Sequence, residues 1–232
     1  MVFIEGADGF GSGFFVSDDG LILTNAHVVG KASRVTVVLH DGSRLQGEVV
    51  ERAPDGVDLA LVRVKVSRRP LPLGGRSLRV GSWVASVGHG AGGVWAFTTG
   101  MISNIYPLGS DRPLLQTQIP LNPGNSGGPI VDREGRAVGI VTARLRDTDL
   151  INFAIRMDYA VRVLAGLRAV CDCLTIAAPE GIPVLVDGEM VGKGRLVVLP
   201  AEPRTYRVQA VVGGKLRQQD VTYPEVRSVS LE

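Results

Sequence analysis

The sequence predicts an all-β chain: two sets of about six short strands, one closing helix, and a small β module at the C-terminal end. Three observations carry this. Segments rich in Val, Ile, Leu and Thr recur roughly every 8–15 residues, with Gly, Pro, Asp and Asn clustered between them, which is the pattern of a barrel or sandwich. Helical periodicity is scarce. Beyond residue 174 the short apolar segments resume among Pro179, Pro183, Pro200, Pro203 and Pro224.

The first set of strands is expected at residues 2–5, 10–17, 21–25, 35–39, 44–51 and 59–64, with turns at Asp19-Gly20 and Asp41-Gly42. A Pro/Gly-rich stretch at 69–75 separates it from a second set at 82–88, 94–105, 114–118, 129–132, 137–143 and 151–156. Residues 158–169 break the habit: Tyr159, Val161, Val163, Leu164, Leu167 and Ala169 form an apolar stripe, with Asp158 placed as N-cap. One helix is predicted there, closing a first domain of residues 1–170. Residues 174–232, with hairpin signals at Asp187-Gly188 and Gly213-Gly214, form a second unit, small enough that it is expected to lean on the first.

At 232 residues, 45% hydrophobic and 21% charged, the chain has the composition of a globular protein. The net charge of +2 comes with no dense Lys/Arg block, which argues against nucleic acid as a partner. No apolar run approaches the roughly 18 residues of a membrane span, and residues 1–10 lack the features of a secretory signal, so the chain as given reads as soluble. Cys171 and Cys173 are two apart. On a strand they would face opposite sides and could not bridge without strain. They have no nearby partners for a metal, and none is expected.

The chemistry concentrates in Gly124-Asn125-Ser126-Gly127-Gly128-Pro129. A nucleophilic serine needs an exposed hydroxyl, room for a substrate backbone, and N–H groups aimed at a developing oxyanion. Gly124 can take a backbone angle closed to other residues, and Gly127 and Gly128 keep side chains clear. Taken alone, the stretch also reads as a glycine-rich turn before a strand. Its Gly-x-Ser-x-Gly spacing fits α/β-hydrolases too, but that fold puts its histidine after the serine. All three histidines, His27, His40 and His89, come before Ser126. The order acid, His, Ser could be assembled as Asp58, His89 and Ser126, yet it needs an α/β sheet. The order His, Asp, Ser suits two barrels.

His27 follows the apolar segment Leu21-Ile22-Leu23, at a strand end, whereas His40 and His89 read as loop residues. Asp58 directly precedes Leu59-Ala60-Leu61-Val62, where its carboxylate can be partly buried; the competing Asp55 sits in the turn Pro54-Asp55-Gly56.

The segments at 11–29 (GSGFFVSDDGLILTNAHVV), 58–64 (DLALVRV), 122–143 (NPGNSGGPIVDREGRAVGIVTA) and 152–158 (NFAIRMD) together resemble the protease domain of the HtrA/Deg family. The resemblance covers residues 1 to about 170 in the right order. It implies a trypsin-like double β-barrel with His27, Asp58 and Ser126 as a catalytic triad and the Gly124 and Ser126 amides as an oxyanion hole. It implies a serine endopeptidase acting on unfolded or misfolded polypeptides, with no metal or organic cofactor. The residues before the serine and on the later strand, Pro120, Leu121, Ile140, Val141, Thr142 and Ala143, are expected to line the pocket for the residue on the acyl side of the cut. Pro120 stands where enzymes that cleave after Lys or Arg carry an acid, so small or aliphatic residues are expected there. The resemblance also favours an extracytoplasmic or envelope location if an upstream segment was removed before Met1. It implies a homo-oligomer, a trimer in the family, although the segment that supports trimer assembly is largely missing here. In place of the family's PDZ domain, residues 178–194 and 205–214 resemble a PEGA-type β module.

Two other readings use the same residues: a binding protein on a dormant protease fold, its loop at 121–125 unformed at rest, and a scaffold whose work lies in the C-terminal module.

Overall fold

In the computed structural model, which describes residues 1–7, 9–74, 78–90, 94–106, 113–144 and 151–232, the short apolar segments form strands that close on themselves twice. The first six are β1 (Val2–Glu5), β2 (Phe10–Phe15), β3 (Leu21–Thr24), β4 (Arg34–Val38), β5 (Arg44–Arg52) and β6 (Ala60–Arg63). They make a closed antiparallel barrel in the order β1-β2-β3-β6-β5-β4. Closure pairs every strand on both sides and so removes free edges. Val2, Ile4, Ile22, Val37 and Val62 fill its interior.

The second barrel is built from β7 (Trp83–Gly90), β8 (Val94–Ile105), β9 (Leu114–Thr117), β10 (Pro129–Val131), β11 (Ala137–Arg144) and β12 (Asn152–Arg156), in the order β10-β11-β12-β9-β8-β7. Val84, Ile102, Leu115, Ile119 and Ile130 pack inside it. A third apolar cluster lies on the seam: Phe14, Leu23 and Leu61 from the first barrel meet Ile140 and Ile155 from the second. The fold class is therefore the trypsin-like double barrel expected from the sequence.

The one-turn helix α1 (Ala26–Val29) follows β3. The closing helix expected at 158–169 is two pieces, α2 (Met157–Val163) and α3 (Ala165–Val170), with Leu164 extended between them. Long-range contacts explain the break. The Glu51 carboxylate, on the first barrel, accepts the N–H groups of Ala165 at 2.7 Å and Gly166 at 2.8 Å, so a second helix start is stabilised there. Asp158 is not the N-cap; Arg156 occupies that position. Buried Arg156 instead holds the Asp158 carboxylate, with Nη2 to Oδ2 at 2.7 Å and Nε to Oδ1 at 3.0 Å. Cys171 and Cys173 are disulfide-bonded, with Cα atoms 5.4 Å apart. The expectation that they could not bridge without strain took both to lie on one strand, but Cys171 is the cap after α3, so strand alternation does not govern the pair.

The C-terminal residues form β13 (Cys173–Ala177), β14 (Pro183–Val186), β15 (Glu189–Lys193), β16 (Leu196–Pro200), β17 (Arg204–Val212), β18 (Lys215–Tyr223) and β19 (Ser228–Ser230). These make a three-stranded sheet, β16-β13-β19, and a four-stranded one, β15-β14-β17-β18, around a core that includes Ile176, Val186, Tyr206 and Val208. The turn residues Asp187 and Gly188, and Gly213 and Gly214, all have positive φ, as two-residue hairpins of the favoured hand require. No helix among the described residues is long and apolar enough to cross a membrane.

Candidate active site

All four residues of β3 are buried, and the strand ends where Asn25 turns the chain into α1. Val28 and Val29 anchor that turn in the first barrel's core, which leaves His27 between them and the strand, with its side chain half exposed. The Asn25 amide donates to the Asp58 carbonyl at 2.7 Å, tying the histidine's turn to the acid's backbone. Asp58 itself follows a turn in which Asp55 and Gly56 have positive φ, and precedes fully buried Leu59.

The Asp58 carboxylate is the hub. Its Oδ1 accepts the His27 backbone N–H at 2.9 Å, and its Oδ2 accepts the Thr142 hydroxyl at 2.7 Å and lies 2.7 Å from His27 Nδ1. An ionised carboxylate only accepts, so Nδ1 carries the proton and Nε2 keeps its lone pair. Burial by itself pushes the Asp58 carboxyl up, but the hydrogen bonds from the His27 ring, the His27 N–H and Thr142 outweigh it and hold it below the usual range. The hydrogen bond to Asp58 raises the His27 imidazole above its ordinary value, against partial burial.

The serine comes from the segment between β9 and β10. Gly124 has φ +101°, and a Cβ there would lie 1.9 Å from the His89 carbonyl, so only glycine fits. Gly127 has φ +82° and is pressed against the Ser12 carbonyl and the Thr24 hydroxyl, 2.2 and 2.3 Å from where its Cβ would be. The serine loop thus rests on the residues that lead into His27. The Ser126 carbonyl accepts the Ser12 N–H at 2.7 Å, and the Gly127 N–H donates to Val141 at 2.9 Å. Ser126 is partly buried. Among the described residues, its hydroxyl makes no hydrogen bond to His27, and neither the Gly124 nor the Ser126 N–H donates to a protein acceptor. Catalytic hydrogen bonds are commonly long in unliganded enzymes and tighten on substrate.

Of the competing residues, Asp55 remains an exposed turn residue and His40 lies at a turn. His89 is not in a loop, as expected from its flanking glycines, but on β7, 5% exposed, with its ring centroid 3.7 Å from that of Trp95 and the two rings tilted by 52°. Strand pairing of β7 with β8 across Gly88 and Gly90 overrides the local glycine signal. Burial holds its imidazole below the ordinary value.

The expected pocket residues have separate fates. Ile140 is fully buried in the inter-barrel seam, Val141 and Leu121 in the second barrel's core, and Pro120 is exposed. Thr142 spends its hydroxyl on Asp58. That contact was not legible in the sequence, because the two residues are 84 positions apart and on different barrels. The Ala143 side chain lies outside the described residues. No group of three His, Cys, Asp or Glu suited to a metal occurs among the described residues.

A family model, the trypsin-like peptidase domain, matches residues 11–140, more than half of the chain. The chain belongs to this family. Relatives of the trypsin-like domain include the serine protease HhoA from Synechocystis, 39% identical over 173 residues, which are 69% of this chain and 43% of HhoA. A DegP-like periplasmic serine endoprotease from Halomonas elongata is 40% identical over 166 residues, 68% of this chain and 35% of that protein. The chain thus spans less than half the length of these relatives. Among solved structures, the Rv3671c protease of M. tuberculosis in its inactive form is 28% identical, with a TM-score of 0.64 over 72% of this chain and 87% of that one. HhoA and the DegP-like endoprotease support the HtrA branch for this trypsin-like domain.

Proposed function

We propose that the chain is a serine endopeptidase working through His27, Asp58 and Ser126. The observation that carries the reading is the 2.7 Å bond between His27 Nδ1 and the Asp58 carboxylate, on the Thr24–Asn25 approach that packs against the serine loop. In this reading Nε2 takes the Ser126 proton as Oγ attacks a peptide carbonyl, and the N–H groups of Gly124 and Ser126 stabilise the oxyanion. The resulting imidazolium, stabilised by Asp58, protonates the leaving amine; water then attacks the acyl-enzyme with His27 again as base. No step calls for a metal or organic cofactor.

The substrate class we infer is unfolded or misfolded polypeptide, cut with loose preference after small or aliphatic residues. Pro120 and Leu121, apolar and without a charge to receive Lys or Arg, support that preference, since apolar contacts discriminate by only about 1–3 kcal/mol per methylene. The periplasmic DegP-like relative supports an extracytoplasmic location. The division at residues 1–170 and 174–232 is supported by the separate apolar core of the C-terminal sheets, while the PEGA-like reading of the second unit rests on the sequence resemblance alone. A homo-oligomer is inferred from the family resemblance alone.

A peptidyl organophosphonate tests the central reading, because it labels a serine only where base and oxyanion donors are assembled. Expected is one label per chain, mapped by mass spectrometry to Ser126 and absent from Ser126→Ala. A folded wild-type chain that takes no label would leave the dormant binding protein as the better reading.

A further inference from the structure

Ser12, on β2 of the first barrel, is fully buried. Its hydroxyl donates to the Gly124 carbonyl at 2.7 Å and accepts the His89 backbone N–H at 3.0 Å. The space around it is lined by glycines: a Cβ at Gly88 would lie 3.1 Å from Ser12 Oγ, and one at Gly128 would lie 3.3 Å from Ser12 Cβ. One hydroxyl therefore joins the first barrel, strand β7 of the second, and the loop before Ser126.

The peptide groups of that loop are held by this clasp together with bonds made within the loop. The 124–125 peptide is held at both ends, its carbonyl by Ser12 and its N–H by the Asn122 carbonyl at 3.0 Å. In the next peptide the Asn125 carbonyl accepts the Gly128 N–H at 2.9 Å, which sets the direction of the Ser126 N–H because the group is planar. Among the described residues, Ser12 is the one side chain hydrogen-bonded to the backbone of 122–126. Gly124 has positive φ and no side chain to hold it, so its carbonyl is the handle by which the loop's orientation is kept.

We propose that Ser12 is a positioning residue for the oxyanion donors: by holding the Gly124 carbonyl, the Ser12 hydroxyl of the first barrel fixes the 124–125 peptide that links the Gly124 N–H to the Ser126 N–H. The proposal rests on the reading of those two amides as the oxyanion hole. Ser12 touches no substrate. Its loss should therefore weaken stabilisation of the tetrahedral species more than ground-state binding of peptide.

The test compares wild type and Ser12→Ala for peptide hydrolysis, organophosphonate labelling of Ser126, and affinity for a tripeptide boronic acid, whose tetrahedral adduct puts an oxygen where the oxyanion forms. Folded fraction is measured by circular dichroism and used to normalise each rate. Expected for S12A is a kcat lower by about 10–100-fold with KM within about threefold, and slower labelling and weaker boronate binding in parallel. A purely structural role would lower the folded fraction and leave kcat per folded chain unchanged; that result overturns the proposal. If S12A does not fold, Ser12→Cys keeps the side-chain volume with only a weak donor and acceptor, and it carries the same expectation. A wild type that labels, beside a folded variant that labels and turns over at the same rate, refutes the role of Ser12 and leaves the protease reading intact. A folded wild type that neither labels nor hydrolyses peptide refutes both.

Discussion

Asp58 gathers donors from both barrels: the His27 ring and N–H from the first, the Thr142 hydroxyl from the second. Such a carboxylate fixes the imidazole tautomer by geometry as much as by charge. His27 must be neutral to act as base, so activity should fall as pH drops through its pKa. Because the bond to Asp58 raises that pKa, the midpoint of the kcat/KM profile is expected above the ordinary imidazole value of about 6.5. Asp58→Asn should move the midpoint down and lower kcat by about 10⁴-fold, the effect of losing the correct tautomer in comparable triads. A profile flat from pH 5 to 8 would count against a histidine base. In the proposed mechanism Ser126→Ala should remove at least about 10⁴-fold of the activity while leaving the unfolding midpoint nearly unchanged, since members of a triad form a strongly non-additive unit.

At the level of elements, the site is held by strand ends and by the pairings that follow them. β3 stops at Thr24, whose hydroxyl bonds the Ser12 carbonyl at 2.8 Å, and α1 turns His27 toward Asp58. Val141 on β11 exchanges two 2.9 Å bonds with Gly127 and Gly128, continuing the ladder right up to the serine. The two closing helices owe their division to Glu51, a residue more than a hundred positions away in sequence. Glu51→Ala leaves the first N–H groups of α3 to solvent and should cost about 1 kcal/mol in urea unfolding, comparable to loss of a helix cap. A change of less than about 0.2 kcal/mol would mean that solvent satisfies those groups equally well.

For the whole molecule, the C-terminal sheets are docked and not merely tethered. Tyr159 of α2 packs against both the inter-barrel seam and the C-terminal core, and Val198 of β16 packs on the seam. Arg156 of the second barrel reaches Glu189 at 2.9 Å, and Arg136 reaches Glu202 at 3.8 Å. Among the described residues, no hydrogen bond or ion pair joins residues 174–232 to His27, Asp58, Ser126 or the 121–128 segment. A chain ending after Val170 should therefore unfold at lower temperature, having lost these contacts, yet keep its turnover of a short peptide within about tenfold per folded chain, under ~1.4 kcal/mol in barrier. A truncated chain that folds but neither turns over peptide nor takes the phosphonate label would make the module part of the catalytic device.

What the sequence determined by itself was local or periodic. Strand spacing and glycine-marked turns are written in residues near one another, where turn chemistry and alternation act over a few positions, and the order His27, Asp58, Ser126 is read directly along the chain. That is why twelve strands and the preference for Asp58 over Asp55 were legible. Only the tertiary structure decided the rest. The break at Leu164 needs Glu51 from another barrel, the strand identity of His89 needs its pairing with Trp95, and the Cys171–Cys173 bond needs a helix end beside a strand start. The bond from Thr142 to Asp58 and the clasp of Ser12 on Gly124 likewise join residues 84 and 112 positions apart. Side chains that meet only when two barrels close leave no periodic trace in either segment, because each segment's pattern records the core it enters and not the partner it finds across the seam.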